Sequence, residues 1–117
     1  MRAGVECAPR DVTLAAMIHV STTCPDLDSA KRLARAALIE RVTACVNIVP
    51  AVTSLYRWQG DIVDDTEVMA IFKTSEAARP ALVAFLEAEH PYDVPVITWE
   101  AVNTTPDATA WMMRETS

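Results

Sequence analysis

Glycine is almost missing from this sequence: only Gly4 and Gly60 occur. A loop that wraps phosphates needs several positions free of a Cβ, so a glycine-rich nucleotide loop is excluded. Cysteine is nearly as scarce. Cys7, Cys24 and Cys45 are an odd number at wide spacings, with no C-x-x-C pair. That rules out a disulfide framework and paired zinc clusters, and it predicts free thiols in a reducing compartment, the cytoplasm by default. No apolar run approaches the roughly 20 residues that span a bilayer, and residues 1–11 lack the apolar core of a signal peptide. Basic residues are outnumbered, 10 against 16 acidic ones, for a formal charge of −6. Such a chain repels phosphate backbones, so neither nucleic acid nor a membrane is an expected partner. No His, Cys or Asp set has the spacing of an activated nucleophile, so no catalytic residue is assigned and an enzyme is not expected. What the chain does have is 51% hydrophobic and 22% charged residues in 117 positions, enough for one globular domain. A domain this small buries a modest share of its surface, and association with copies of itself would help.

Residues 1–12 show no period and read as a disordered leader; residues 13–117 read as the domain. Ala15 to Thr22 alternates as a first strand, which Cys24-Pro25-Asp26 breaks. Asp26 to Ser29 can cap the next helix, whose apolar stripe is Leu27, Ala30, Leu33, Ala34, Ala37 and Leu38. Ala44 to Val49 is a second strand, interrupted by Pro50 and continued from Ala51 to Trp58. Gln59-Gly60-Asp61 is a turn, and Ile62 to Thr74 returns as the other half of a hairpin. A second helix is predicted from near Ser75 to Glu89 or His90. An extended connection with two prolines follows, then a strand from Val96 to Val102 and a short helix opened by Thr105-Pro106-Asp107. The order β-α-β-β-α-β predicts a ferredoxin-like α+β sandwich with a long hairpin and a short C-terminal helix.

The hairpin is too long for the body. Val46 to Trp58 would reach roughly 43 Å at about 3.3 Å per residue, whereas a body of this size is about 34 Å across. The outer part carries Leu55, Tyr56 and Trp58, and exposed strands with such side chains invite association.

At this point several separated motifs stand in one order. Ala44-Cys45-Val46-Asn47 is followed by Pro50, Ser54, Tyr56, Trp58 and Gly60, then Glu67, Lys73-Thr74, His90-Pro91-Tyr92 and Pro95. Over about residues 16 to 102 the chain resembles the CutA-like divalent-cation tolerance family. The resemblance implies a ferredoxin-like subunit in a tightly packed homotrimer, with strands and hairpins of neighbours meeting edge to edge. It also implies a role in tolerance of divalent metals, copper among them. The chain departs from the family pattern in places. Thr22 stands where some members have a thiol, Glu89 where some have the first of two histidines, and Val96 where a Glu is usual. These departures bear on a copper site and not on the fold.

Candidate residues follow. His90, Glu89 and Cys24 are the candidate ligands for a divalent ion, copper or zinc, because imidazole and thiolate suit such metals. Cys24, before Pro25 in a predicted loop, is expected to be reachable, and Cys45, between apolar neighbours, to be structural. For His90 a helix-capping role weighs about as much as ligation, and for His19 packing is the simpler account. Cys45, Trp58, Glu67, Lys73 and Tyr92 are grouped as an intersubunit pocket. Glu67 and Lys73 are an even number of residues apart on one strand and so share a face, where an intersubunit ion pair is the plainer reading. The aromatics equally suit an interface, and Asp64-Asp65 reads as solvated. Beside the metal-tolerance trimer, three readings stay open. One is a ligand-sensing trimer resembling nitrogen-regulatory signalling proteins. The others are an enzyme whose cleft combines Glu67, Lys73 and Tyr92 from two subunits, and a purely structural assembly.

Overall fold

A computed structural model describes residues 17–117. The leader at 1–12, Cys7 and the predicted strand start at Ala15 lie outside the described residues. Four strands and three helices follow in the expected order: β1 (Met17–Cys24), α1 (Leu27–Ile39), β2 (Cys45–Trp58), β3 (Asp61–Thr74), α2 (Arg79–Glu89), β4 (Thr98–Val102) and α3 (Pro106–Glu115). The sheet order is β2-β3-β1-β4, with every neighbouring pair antiparallel. This is the ferredoxin-like sandwich, with α1 and α2 packed on one face of the sheet.

Alternation sets which side chains go inside. Ile18, Val20, Thr22 and Cys24 of β1 and Val68, Ala70, Phe72 and Thr74 of β3 are buried, and their apolar members pack with Ala30, Leu33, Ala34, Ala37, Leu82 and Leu86 of the two long helices. The α1 stripe is shorter than the sequence suggests. Leu27 and Leu38, at its two ends, overhang the sheet and are exposed. Asp26 caps α1 by accepting the Ser29 N–H at 2.7 Å.

β1 runs two residues further than expected, through Cys24, because Thr23 and Cys24 continue the ladder against Met69 and Val68. Two other elements start later than predicted. α2 begins at Arg79, with Pro80 in its first turn, and β4 begins at Thr98, because Pro95 lies in the connection before it.

Pro50 does not end β2. The register slips between Val49 and Val52, with Ala51 at φ 61°. This bulge removes one residue from the ladder, and the pairing then continues out to Trp58↔Asp61. Gln59 (φ 49°) and Gly60 (φ 89°) close the hairpin with positive φ at both turn positions, the geometry that matches strand twist. The molecule measures 54 × 29 × 21 Å, and the outer hairpin accounts for the long axis, with Leu55 66% and Ile62 69% exposed.

Candidate functional site

A cleft of about 880 Å³ opens between the outer hairpin, Thr53 to Trp58, and the connection from Pro91 to Val96. Two features of the sequence create it. The bulge lets β2 carry its pairing past the body of the sheet, and Pro91 and Pro95 keep the facing connection from becoming helix. Glu67, at 7% exposure, is the most buried of the lining residues.

A carboxylate this buried needs donors. The Tyr92 hydroxyl donates to Glu67 Oε2 at 2.6 Å. Burial pushes the Glu67 carboxyl up, but hydroxyl donors on Tyr92, Ser54 and Thr23 outweigh it and hold the group below the usual carboxylate range. Glu67 is therefore ionised at neutral pH. Tyr92 moves the other way: burial, then the bond to Glu67, raise its phenol far above the ordinary value. Nearby, the Tyr56 hydroxyl donates to Asp65 Oδ2 at 3.0 Å.

His90 anchors the connection. The Tyr92 N–H donates to His90 Nδ1 at 3.0 Å, so Nδ1 carries no proton and Nε2 does. Nε2 then donates to Thr22 Oγ1 at 2.9 Å, and the Thr22 hydroxyl donates to the Val96 carbonyl at 2.9 Å. Both ends of the connection are thus fastened to β1. Burial keeps the imidazole below its usual value, against the Thr23 carbonyl and the Glu67 charge, and so keeps it neutral.

Of the five residues grouped as a pocket, the structure brings together Trp58, Glu67 and Tyr92. Cys45 and Lys73 stand directly opposite each other at the far end of the hairpin. Lys73 does share the Glu67 face, but six residues along the strand, roughly 20 Å at about 3.3 Å per residue. Thr23 was not singled out in the sequence, Thr22 and Ser54 stood there only as motif positions, and Asp65, read as solvated, instead accepts the Tyr56 hydroxyl. Only the register, which places Thr23 against Met69 and Ser54 against Asp65, reveals them.

Residues 18–115 match the family model of the CutA1 divalent ion tolerance protein. The chain belongs to this family. A divalent-cation tolerance protein CutA of Thermus thermophilus is 47% identical over 67% of this chain and 76% of its own length. The mouse protein CutA is 46% identical over 62% of this chain, and the aligned part spans about two fifths of the mouse protein (41%). The crystal structure of the divalent ion tolerance protein CutA1 from Ehrlichia chaffeensis superposes with a TM-score of 0.84 at 28% identity, over 89% of this chain and 98% of that one.

Within this CutA1-family chain the three candidate metal ligands do not converge. Among the described residues no group of three or more His, Cys, Asp and Glu is placed to hold a metal ion. Both His90 nitrogens are engaged, and Glu89 is exposed at the end of α2. Cys24 is not reachable, contrary to expectation. It shares the parity of Ile18 and Val20, so it faces the core and is fully buried, while Cys45 is the partly exposed thiol. Burial, with Asp26 and Glu67 nearby, pushes the Cys24 thiol up to about 11. Thiolate is the reactive form. Iodoacetamide at pH 8 followed by peptide mapping should label Cys24 about two orders of magnitude more slowly than an unfolded control. Equal rates would mean that the end of β1 opens readily.

Proposed function

We propose that this chain serves in divalent-cation tolerance as a homotrimer that takes up copper or zinc at open, partly hydrated sites completed by a second subunit. The observation that carries the reading is the apolar surface that one chain leaves uncovered. On the sheet face away from α1 and α2, Val49 stands exposed and Met69 and Ile71 are only partly covered, and Leu55, Trp58 and Ile62 stand exposed on the projecting hairpin. Apolar surface of this kind is what association buries. Family membership supports the metal role.

The donor arithmetic supports sharing between subunits. A closed structural zinc site takes four protein ligands, and one chain gathers fewer than three among its described residues. Glu89 is free to contribute, and His90 can do so only by releasing Tyr92 or Thr22. The free thiols of Cys24 and Cys45 suit a reducing compartment such as the cytoplasm.

Light scattering at micromolar concentration should give about three times the 12.8 kDa chain mass. The Trp58→Ala variant should dissociate at higher concentration than the wild type, since exposed aromatics of this kind anchor interfaces. Calorimetric titration with copper and zinc should show saturable binding only where the trimer persists. A monomeric mass, or metal binding that is indifferent to dissociation, would sink the reading.

A further inference from the structure

Two charges on β3 lack a counter-ion on their own chain. Among the described residues Glu67 is the one buried acid, and neither ion pair includes it. Hydroxyls of Tyr92, Ser54 and Thr23 solvate its charge without neutralising it, and the nearby His90 is held neutral. Lys73 is the complement. Of the described cations only Lys73 and Arg79 are half-buried. Arg79 is bound to Glu76 at 2.9 Å, whereas Lys73 forms no ion pair and stands in register with Cys45 on one side and His19 on the other.

These two charges cannot meet within one chain. They lie six residues apart on one strand, roughly 20 Å at about 3.3 Å per residue, beyond the reach of a lysine side chain. Both stand on the face of β3 that carries Met69 and Ile71, away from α1 and α2. Covering that face by association takes further water from each charge, and an unpaired charge is costly to desolvate. In a ring of three identical chains every contact is heterologous, so one end of a face meets the other end of its neighbour's. Lys73 lies at the body end of β3, and Glu67 lies where the hairpin leaves the body, just past the bulge.

The cleft suits a lysine. A carboxylate offers about four acceptor positions, so three hydroxyls leave Glu67 one more. Tyr56, Trp58 and Tyr92 line the approach. Lysine stems lie along apolar surface, and aromatic faces attract the ammonium.

We propose that in the assembled protein Lys73 of each chain enters the cleft of the next and pairs with its Glu67. This pairing rests on the trimer reading and names the residue that one subunit supplies to its neighbour.

The test is a double-mutant cycle on assembly with Lys73→Met and Glu67→Gln, read as the protein concentration at which light scattering shows half-dissociation. Either single variant should raise that concentration at least about tenfold, because each leaves a desolvated partner unpaired. The double variant should be no weaker than the weaker single one, and Lys73→Arg, which keeps the charge, should stay within about threefold of the wild type. A second measurement needs no variant. A carbodiimide couples an ammonium to a carboxylate that it touches, so wild type assembled from unlabelled and heavy-nitrogen chains should yield a Lys73–Glu67 peptide pair carrying one label of each kind. Additive losses in a protein that scatters as a trimer would overturn the pairing, and so would coupling of Lys73 to a different acid. A monomeric wild type would instead remove the trimer reading, and this contact with it.

Discussion

Phe72→Ala will lower the free energy of unfolding by about 3–5 kcal/mol, at every protein concentration. Phe72 is fully buried and lies in register with Val20 on one side and Val46 on the other. It packs in the cluster that includes Leu33, Leu82 and Leu86. Truncation loses the transfer energy of the ring and leaves a cavity that two helices and three strands cannot all close. Ile71→Ala, one residue away on the opposite face, is the informative comparison, because Ile71 is only partly covered by its own chain. If copies of the chain supply the rest of its cover, the loss at Ile71 will grow with protomer concentration, since association adds to stability by mass action. Urea midpoints for both variants across a range of concentrations check this. A concentration-independent loss at Ile71 would place its cover within the chain.

The same strand shows how far sequence alone carries. Even spacing put Glu67 and Lys73 on one face of β3 from the sequence, and the structure adds that Phe72 and Ile71 fall on opposite faces. Apolar spacing in α1, the Gln59-Gly60 turn and the proline-bounded connection were legible for similar local reasons. Cys24 was not. Its neighbour Pro25 reads as a loop, and only the pairing with Val68 extends the strand and turns the thiol inward. Nor did the Cys45 and Lys73 positions announce that they sit far from the cleft, because strand length becomes distance only once the hairpin is known to run straight past its bulge. The environment of Glu67 depends on Thr23, Ser54 and Tyr92, which lie on three segments. Short hydroxyl side chains carry no periodic signal, so that part of the site could emerge only from the register.

Tyr92→Phe will cost about 1.5–3 kcal/mol near neutral pH, and the cost will shrink on both the acid and the alkaline side. The variant keeps the ring and removes one hydrogen bond, that from the phenol to an ionised, buried carboxylate at 2.6 Å. On the acid side the sign follows from Glu67. Its folded pKa lies below the unfolded value, so its contribution is present above about 4.3 and is lost as pH falls through the folded value. Without the Tyr92 donor the folded pKa moves back up, and the wild type loses its advantage as the carboxylate protonates. On the alkaline side the group is Tyr92 itself. Its folded pKa is raised, by burial and then by Glu67. That contribution is present below about 10 and is lost as pH rises toward the folded value. The wild type will also lose stability below about 6.5 as the unfolded chain protonates His90, whose folded pKa is depressed. Phe at position 92 keeps the backbone N–H that His90 accepts, so this loss occurs in both proteins and largely cancels in their difference. The check is the difference in urea midpoint between wild type and variant from pH 3 to pH 11. A plateau between about 4.3 and 10 with a fall at each end is expected. A difference that ignores pH would mean that the hydroxyl acts through packing alone, and that the Glu67 charge is not what Tyr92 holds.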